Sequence, residues 1–179
     1  LPVVSSKVTV LGNHCSKFID SPYSRTGILE GNPIHKDMIA ASKMAHQKYI
    51  VNVIIDADKK VVHAVAGDAI EAHAAGCKFL QDYCQVVPKK AADIAISTNG
   101  GYPLDQNMYQ SVKGMTAAEA AAKDDGILIM VSNCGDGHGG EGFYEALKNC
   151  SSPADLMAEI LKVPQDQTKP DQWEYQIQC

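Results

Sequence analysis

The sequence has no excess of positive charge, no long apolar run and only one tryptophan. Its 16 Lys and Arg residues are outnumbered by 21 Asp and Glu residues, so the net charge is −5 over 179 residues. Because nucleic-acid-binding domains carry a basic face, this composition argues against that class. No apolar run approaches the ~20 residues that span a bilayer. With 45% hydrophobic residues the chain can bury a core, and its expected partners are small molecules or other proteins.

Paired cysteine motifs are also missing. None of the six cysteines forms a C-x-x-C pair, and no N-terminal stretch has the charged-then-apolar pattern of a signal peptide. We therefore predict free thiols and a cytoplasmic location. The chain starts at Leu1, without an initiator Met and with a sequence pattern already in progress. We expect it to be a piece of a longer polypeptide.

Residues 1–88 predict a helix, a hairpin and a second helix. Asn32 followed by Pro33 is typical of a helix start, and Asp68 with Glu71 resembles a capping box. The expected elements are a strand at 8–11, a loop at 15–31, a helix at 32–47, hairpin strands at 49–55 and 61–66, and a helix at 68–83.

Residues 89–179 predict an α/β domain with a mostly parallel sheet and flanking helices, since strands and helices alternate there. Thr116 and Ser152 are two of the expected helix caps. From Pro164 the tail is polar apart from three residues. The expected elements are strands at 93–98 and 126–132 and helices at 105–113, 117–123, 141–149 and 153–162.

Two glycine-rich loops follow the carboxyl ends of the predicted strands, at residues 99–101 and 133–140. In an open α/β sheet, ligands bind at this edge when the strands are neighbours. Glycine lets backbone N–H groups approach an anion closely, although flexible turns have the same composition. The loops therefore indicate either an anion site or ordinary turns.

The helix after the first loop places Tyr109, Gln110 and Lys113 on one face, because these residues lie three or four positions apart. A Lys ammonium and a Gln amide suit a carboxylate ligand, and a desolvated Lys could also transfer protons. The alternative is a solvated lysine on a helix surface.

Three further residues have a functional and a structural interpretation. His138 and Glu141 have the spacing of a metal-ligand pair, as in a zinc hydrolase, or of a loop histidine before a capping Glu. His14 could bind a late transition metal or be structural. Trp173 could dock the tail onto the core or stack on a flat ring.

Four segments together resemble the nickel-dependent lactate racemase family. They are ILEGNP at 28–33, AVAGDAIEAHAAG at 64–76, STNGGYPLDQNMYQSVKGMTAAEA at 97–120 and NCGDGHGGEGFYEAL at 133–147. The resemblance covers nearly the whole chain, in order, and it matches the C-terminal portion of the family.

The resemblance implies an enzyme that interconverts the enantiomers of lactate or another 2-hydroxy acid. Its cofactor is a nickel pincer nucleotide, the nickel complex of pyridinium-3,5-bisthiocarboxylic acid mononucleotide, tethered through a lysine. In the mechanism that the family implies, a histidine takes the hydroxyl proton while hydride leaves the 2-carbon for the pyridinium ring. The hydride then returns to either face of the planar keto acid.

Matching positions carry the family's roles to this chain. His14, in LGNH, matches the histidine that binds nickel. Gln110 and Lys113 match the catalytic pair that holds the substrate, with Tyr109 beside them as a further substrate-binding residue. Trp173 falls where the family has a tryptophan lining the cofactor.

The sequence also departs from the family. Leu1 and Pro2 match the start of an LPG-type segment, but Val3 stands where a Gly is expected, and the tethering lysine, two acid–base histidines and a substrate-binding arginine would lie upstream. We therefore expect residues 1–88 to be the end of the cofactor and metal region, and the isolated chain to be inactive and to self-associate as a homo-oligomer. The alternative function is a non-catalytic module of the same fold that binds small carboxylates.

Overall fold

The computed structural model describes residues 6–179. The match to the family at Leu1 and Pro2 and the departure at Val3 lie outside the described residues. Within the described part, the chain divides into two compact units, with a break between Val87 and Pro88. His14–Ile19 groups with Pro88–Cys179, although the sequence analysis included this segment in residues 1–88. The functions assigned to regions 1–88 and 89–179 stay predictions.

The first unit contains three helices and an antiparallel strand pair. Helix α3 is capped by the Asn32 side chain, which accepts N–H groups of Ile34 and His35, and α4 is capped in the same way by Asp68. Strands β1 and β2 are antiparallel, and their pairing begins with Ile50 opposite Gly67. The bounds are α1 Lys7–Asn13, α3 Pro33–Met44, β1 Ile50–Ile55, β2 Val61–Gly67 and α4 Ala69–Cys84.

The strand predicted at residues 8–11 is wrong, because these residues belong to helix α1. The Ser6 hydroxyl accepts the backbone N–H of Thr9 at 3.1 Å and also bonds the Thr9 hydroxyl at 2.6 Å. Ser6 is thus the helix cap, and this local hydrogen bonding outweighs the strand preference of the β-branched residues. Part of the predicted loop is also helical, as α2 at Ser16–Ile19.

The second unit confirms the α/β class and a parallel pairing. Strand β3 pairs with β4 in parallel from Ile94–Ile127 to Thr98–Val131. The strand pair of the first unit is antiparallel, so the parallel arrangement holds only for the C-terminal unit. The bounds are β3 Ala92–Thr98, α5 Met108–Glu119, β4 Ala122–Val131, α6 Glu141–Asn149, α7 Pro153–Ile160, a 3₁₀ helix at Gln165–Gln167 and α8 Gln172–Gln178.

Helices predicted at 105–113 and 117–123 are instead one helix, α5. Asn107 is its cap and accepts the Gln110 N–H at 2.9 Å. Thr116 does not cap a second helix, because its hydroxyl donates to the Lys113 carbonyl oxygen at 2.8 Å within α5. A Thr bonded back onto the preceding turn is compatible with a helix interior.

The core of the second unit lies under α5, α6, α7 and α8. Its buried members are Val112, Phe143, Ile160 and Tyr175, and Tyr109 packs against them. The polar tail therefore contains a helix, α8, that packs on this core through Tyr175. No helix within residues 6–179 is long and apolar enough to cross a membrane.

Candidate active site

Helix α5 presents the residues that were predicted to bind a carboxylate. The Lys113 ammonium donates to Gln110 Oε1 at 2.6 Å, so the cation and the amide are already paired. Lys113 is exposed, whereas Tyr109 and Gln110 are partly buried. Tyr109 packs edge-on against Phe143, with ring centroids 5.9 Å apart, which anchors this face of α5 to the core. Lys113 is therefore an exposed cation on a helix that is anchored to the core.

Trp173 is the centre around which the other predicted residues meet. The His14 ring lies 5.4 Å from it with an interplanar angle of 64°, and the Tyr109 ring lies 5.9 Å from it at 83°. Lys113 Nζ is 5.9 Å from the centroid of the Trp173 ring. Residues from positions 14, 109–113 and 173 therefore form one cluster within the second unit.

The polar residues of α8 hold His14 in this cluster. Gln176 Nε2 donates to the Ser16 carbonyl oxygen at 2.9 Å, and the Ser16 hydroxyl donates to the Val163 carbonyl oxygen at 3.2 Å. Gln176 and Ser16 are both buried. The tail therefore docks onto the core, as one interpretation of Trp173 expected, and docking brings His14 beside the Trp173 ring.

The first glycine loop is tied to α5 by the Asn99 side chain. Asn99 Nδ2 donates to the carbonyl oxygens of Gln110 at 2.6 Å and Leu104 at 2.7 Å. Gly114 is required on the facing side of α5, because a Cβ there would lie 2.6 Å from Asn99 Oδ1. The loop thus fixes the position of the helix that carries Gln110 and Lys113.

The second glycine loop packs against the start of α5 and accepts hydrogen bonds from it. The carbonyl oxygens of Gly137 and His138 accept the N–H groups of Met108 at 3.0 Å and Tyr109 at 3.1 Å. Gly139 has a φ of 87°, and a Cβ there would lie 2.8 Å from the Asn107 side chain. The glycines therefore permit close packing against the start of α5, and its first N–H groups already have acceptors.

His138 stacks on Tyr144 with ring centroids 4.4 Å apart, and Glu141 is exposed at the start of α6. Across the described ranges, no three His, Cys, Asp or Glu side chains converge as a metal-binding group. The zinc-hydrolase interpretation of His138 and Glu141 accordingly has no ligand set in this part of the chain.

The residue that sequence reasoning missed is Glu174. It is 0% exposed, and neither carboxyl oxygen has a hydrogen-bond partner among residues 6–179. The pKa of Glu174 is raised to about 8, chiefly by burial. The negative charge of Asp171 adds to this rise, whereas the positive charge of Lys113 opposes it. A Glu in a polar tail carries no sequence signal of such burial.

Tyr109 is affected by the same acidic residues. Burial raises the pKa of Tyr109 to about 12, and the negative charges of Glu174 and Asp171 contribute to this rise. A hydrogen bond with Trp173 lowers the pKa but does not cancel the rise. The phenol is therefore neutral throughout the physiological pH range. It can donate or accept a hydrogen bond but carries no charge.

Comparison with known proteins identifies the family. Residues 87–179, just over half of the chain, match the family described as the lactate racemase C-terminal domain. This chain belongs to that family. It is 55% identical over 177 residues to the lactate racemase of Thermoanaerobacterium thermosaccharolyticum and 50% identical over 177 residues to that of Lactiplantibacillus plantarum.

A solved structure of a lactate racemase has the same fold. The apoprotein from Thermoanaerobacterium thermosaccharolyticum superimposes with a TM-score of 0.92 and 56% sequence identity over 96% of this chain. The chain spans 41% and 42% of the lengths of the two curated lactate racemases and 41% of the solved chain. The family-matched segment includes α5 and α8, which carry Gln110, Lys113 and Trp173, whereas His14 lies before it.

Proposed function

We propose that this chain supplies the substrate-facing part of a nickel-dependent racemase or epimerase that acts on 2-hydroxy acids. The observation that carries the proposal is the cluster around Trp173. Lys113 Nζ lies 5.9 Å from the centroid of the Trp173 ring, and the centroid of the His14 ring lies 5.4 Å from it. A cation for a carboxylate, an imidazole for a metal and a flat aromatic ring thus share one site. Each is a residue type that this chemistry requires.

Gln110 and Lys113 bind and orient the substrate. The Lys113 ammonium pairs with the substrate carboxylate, and the Gln110 amide, already 2.6 Å from that ammonium, donates to a carboxylate or hydroxyl oxygen. Two contacts to one end of a small acid fix the direction of its C–H bond. Tyr109 and Trp173 form the wall of the site and limit access of water.

The residues present fit part of the nickel pincer cofactor. His14 offers one imidazole nitrogen, a donor that suits nickel, and Trp173 offers a face or edge to a flat pyridinium ring. Residues 6–179 contain no group of three or more His, Cys, Asp or Glu side chains that could hold a metal, so His14 would be one donor beside those of the cofactor and of the rest of the polypeptide. When bound, the cofactor supplies an acceptor for the hydride of the 2-carbon.

The proposal is tested in the full-length polypeptide that carries this chain, loaded with cofactor. Racemisation is measured by chiral chromatography with lactate and a panel of other 2-hydroxy acids, which identifies the substrate. Lys113→Ala is expected to lower kcat/KM by about 10- to 100-fold, the typical loss of a hydrogen bond to a charged group. Lys123→Ala, an exposed lysine paired with Asp93, is the matched control and should retain activity.

A second measurement addresses the metal. His14→Ala should reduce the nickel retained after dialysis, as measured by elemental mass spectrometry, while Lys113→Ala should retain it. Equal kcat/KM in the Lys113→Ala variant and the wild type would contradict the assigned substrate site. Binding of 2-hydroxy acids without racemisation by the loaded full-length protein would favour the non-catalytic carboxylate-binding module.

The 179-residue chain alone is expected to be inactive. It spans less than half the length of the lactate racemases it matches, so residues outside this chain would have to complete the site. Racemase activity, or nickel bound at near-stoichiometry, in the isolated chain would contradict this expectation.

A further inference from the structure

A fully buried acid is the sequence neighbour of Trp173 in the proposed carboxylate site, and its role rests on the proposed function. Glu174 is adjacent to Trp173 on α8, is 0% exposed, and has no donor for either carboxyl oxygen within the described part of the chain. Such a side chain is most stable as the neutral acid, because an ionised carboxylate without hydrogen bonds is costly to bury.

Charged and titratable groups act on Glu174 from two elements. The charge of Lys113, on α5, lowers the pKa of Glu174, and the charge of Glu174 raises the pKa of Tyr109 on the same helix; Asp171 precedes Glu174 at the start of α8. Helices α2, α6 and α7 also pack against α8, but Lys113 and Asp171 are the only charges that shift the Glu174 pKa within residues 6–179. Among residues 6–179, Lys113 is therefore the cation that Glu174 and an incoming carboxylate would share.

Asp171 differs from Glu174 in its surroundings. Its carboxylate lies against the start of α6, where a Cβ on Gly142 would be 3.2 Å from Asp171 Oδ2. A helix N-terminus stabilises a negative charge. Asp171 therefore has a local source of compensation for its charge, whereas Glu174 has only Lys113.

We propose that Glu174 is a positioning residue for Lys113: held as the buried neutral acid next to Trp173 on α8, it leaves the Lys113 ammonium available to the carboxylate of the substrate. Ionised Glu174 would attract Lys113 towards α8 and repel the substrate carboxylate. The site thus binds a monocarboxylate in one protonation state of Glu174 and rejects it in the other.

The direction of the pH dependence follows from the pKa of Glu174, which burial raises to about 8. Below that pH the acid is neutral and the substrate binds; above it the carboxylate forms and binding weakens. Binding of the substrate anion takes up a proton in this range, because the anion further disfavours the charged form. Tyr109 does not contribute, since its pKa is raised to about 12.

The test measures L-lactate binding by isothermal titration calorimetry between pH 6 and pH 10, in the full-length polypeptide that carries this chain. In the wild type, affinity is expected to fall about tenfold from pH 7 to pH 10, the size of effect expected from one added charge several ångströms away. Glu174→Gln, an isostere of the neutral acid, should remove this dependence. Glu119→Gln, which changes an exposed residue of α5, should keep it.

A spectroscopic measurement separates this role from simple packing. The infrared band of a protonated carboxyl should be present at pH 7 in the wild type and in Glu119→Gln, should disappear above pH 9, and should be missing from Glu174→Gln. Thermal stability gives the same information without ligand. The pKa of Glu174 in the folded state, about 8, lies above its ordinary value of 4.5, so the stability of the wild type falls as the pH rises from about 4.5 to about 8, and less steeply in Glu174→Gln.

The outcomes distinguish this inference from the proposed function. Equal pH profiles of lactate binding in the wild type and Glu174→Gln, or a missing infrared band at pH 7, would overturn the role of Glu174 and leave the carboxylate site intact. Lactate binding at no pH in any variant would overturn the proposed substrate site and the role of Glu174 together.

Discussion

Replacing Ile160 by Ala should destabilise the second unit far more than replacing its neighbour Leu161 by Ala. Both changes remove three carbons, but Ile160 is 3% exposed and Leu161 is 47% exposed. At about 0.8 kcal/mol per buried methyl or methylene group, Ile160→Ala loses about 2.4 kcal/mol of transfer free energy. The cavity left in the core brings the loss to about 3–4 kcal/mol. Leu161→Ala loses about half the transfer term, roughly 1 kcal/mol.

Urea unfolding followed by Trp173 fluorescence measures this difference. Trp173 is the only tryptophan and lies in the second unit, so its signal reports on that unit. With an m-value of about 1.5 kcal/mol/M, the midpoint should fall by about 2 M in Ile160→Ala and by about 0.7 M in Leu161→Ala. Equal shifts in the two variants, or a loss below about 1 kcal/mol for Ile160→Ala, would refute the assigned core.

Two further predictions concern the glycine loop and the thiols. Gly139→Ala should destabilise the protein more than Gly137→Ala in the same urea assay. Gly139 and Gly137 both have a positive φ, of 87° and 73°, so an alanine at either position loses roughly 1–2 kcal/mol of stability through backbone strain. Of these two, only Gly139 would also bring its Cβ against the Asn107 cap. Equal losses of stability in the two variants would argue against that close contact. The second prediction is tested by a short iodoacetamide pulse analysed by peptide mass spectrometry. Exposed Cys84 should be labelled before Cys179, because burial and the nearby Cys150 raise the pKa of the Cys179 thiol. Buried Cys15 should be labelled only on unfolding. Labelling of Cys15 as fast as Cys84 would contradict its burial.

Helix starts were predictable where the cap was a local sequence signal. Asn32 and Asp68 accept the N–H groups of the first turn, and Ser152 accepts the N–H of Asp155 at 3.1 Å. Thr116 has the same local signal, but its hydroxyl bonds back to Lys113 inside α5. A side chain that can satisfy either role cannot be assigned without knowing where the helix begins.

The convergence of the site was beyond local sequence reasoning for a different reason. The proximity of Tyr109 and Lys113 follows from helix spacing, whereas the approach of His14 to Trp173 depends on α8 packing against α2. The burial of Glu174 depends on the same packing. Polar residues in a tail are ordinarily exposed, and only tertiary structure identifies the ones that are not.

The hydrogen bond between Gln176 and Ser16 joins residues 160 positions apart. At a synthesis rate of about 5–20 residues per second, roughly 8–30 seconds separate the appearance of these two partners on the ribosome. During that interval the segment around His14 has no α8 to pack against. The site therefore forms only after α8 has been synthesised, and a nascent chain interrupted before residue 172 would contain Lys113 and Gln110 but no assembled cluster.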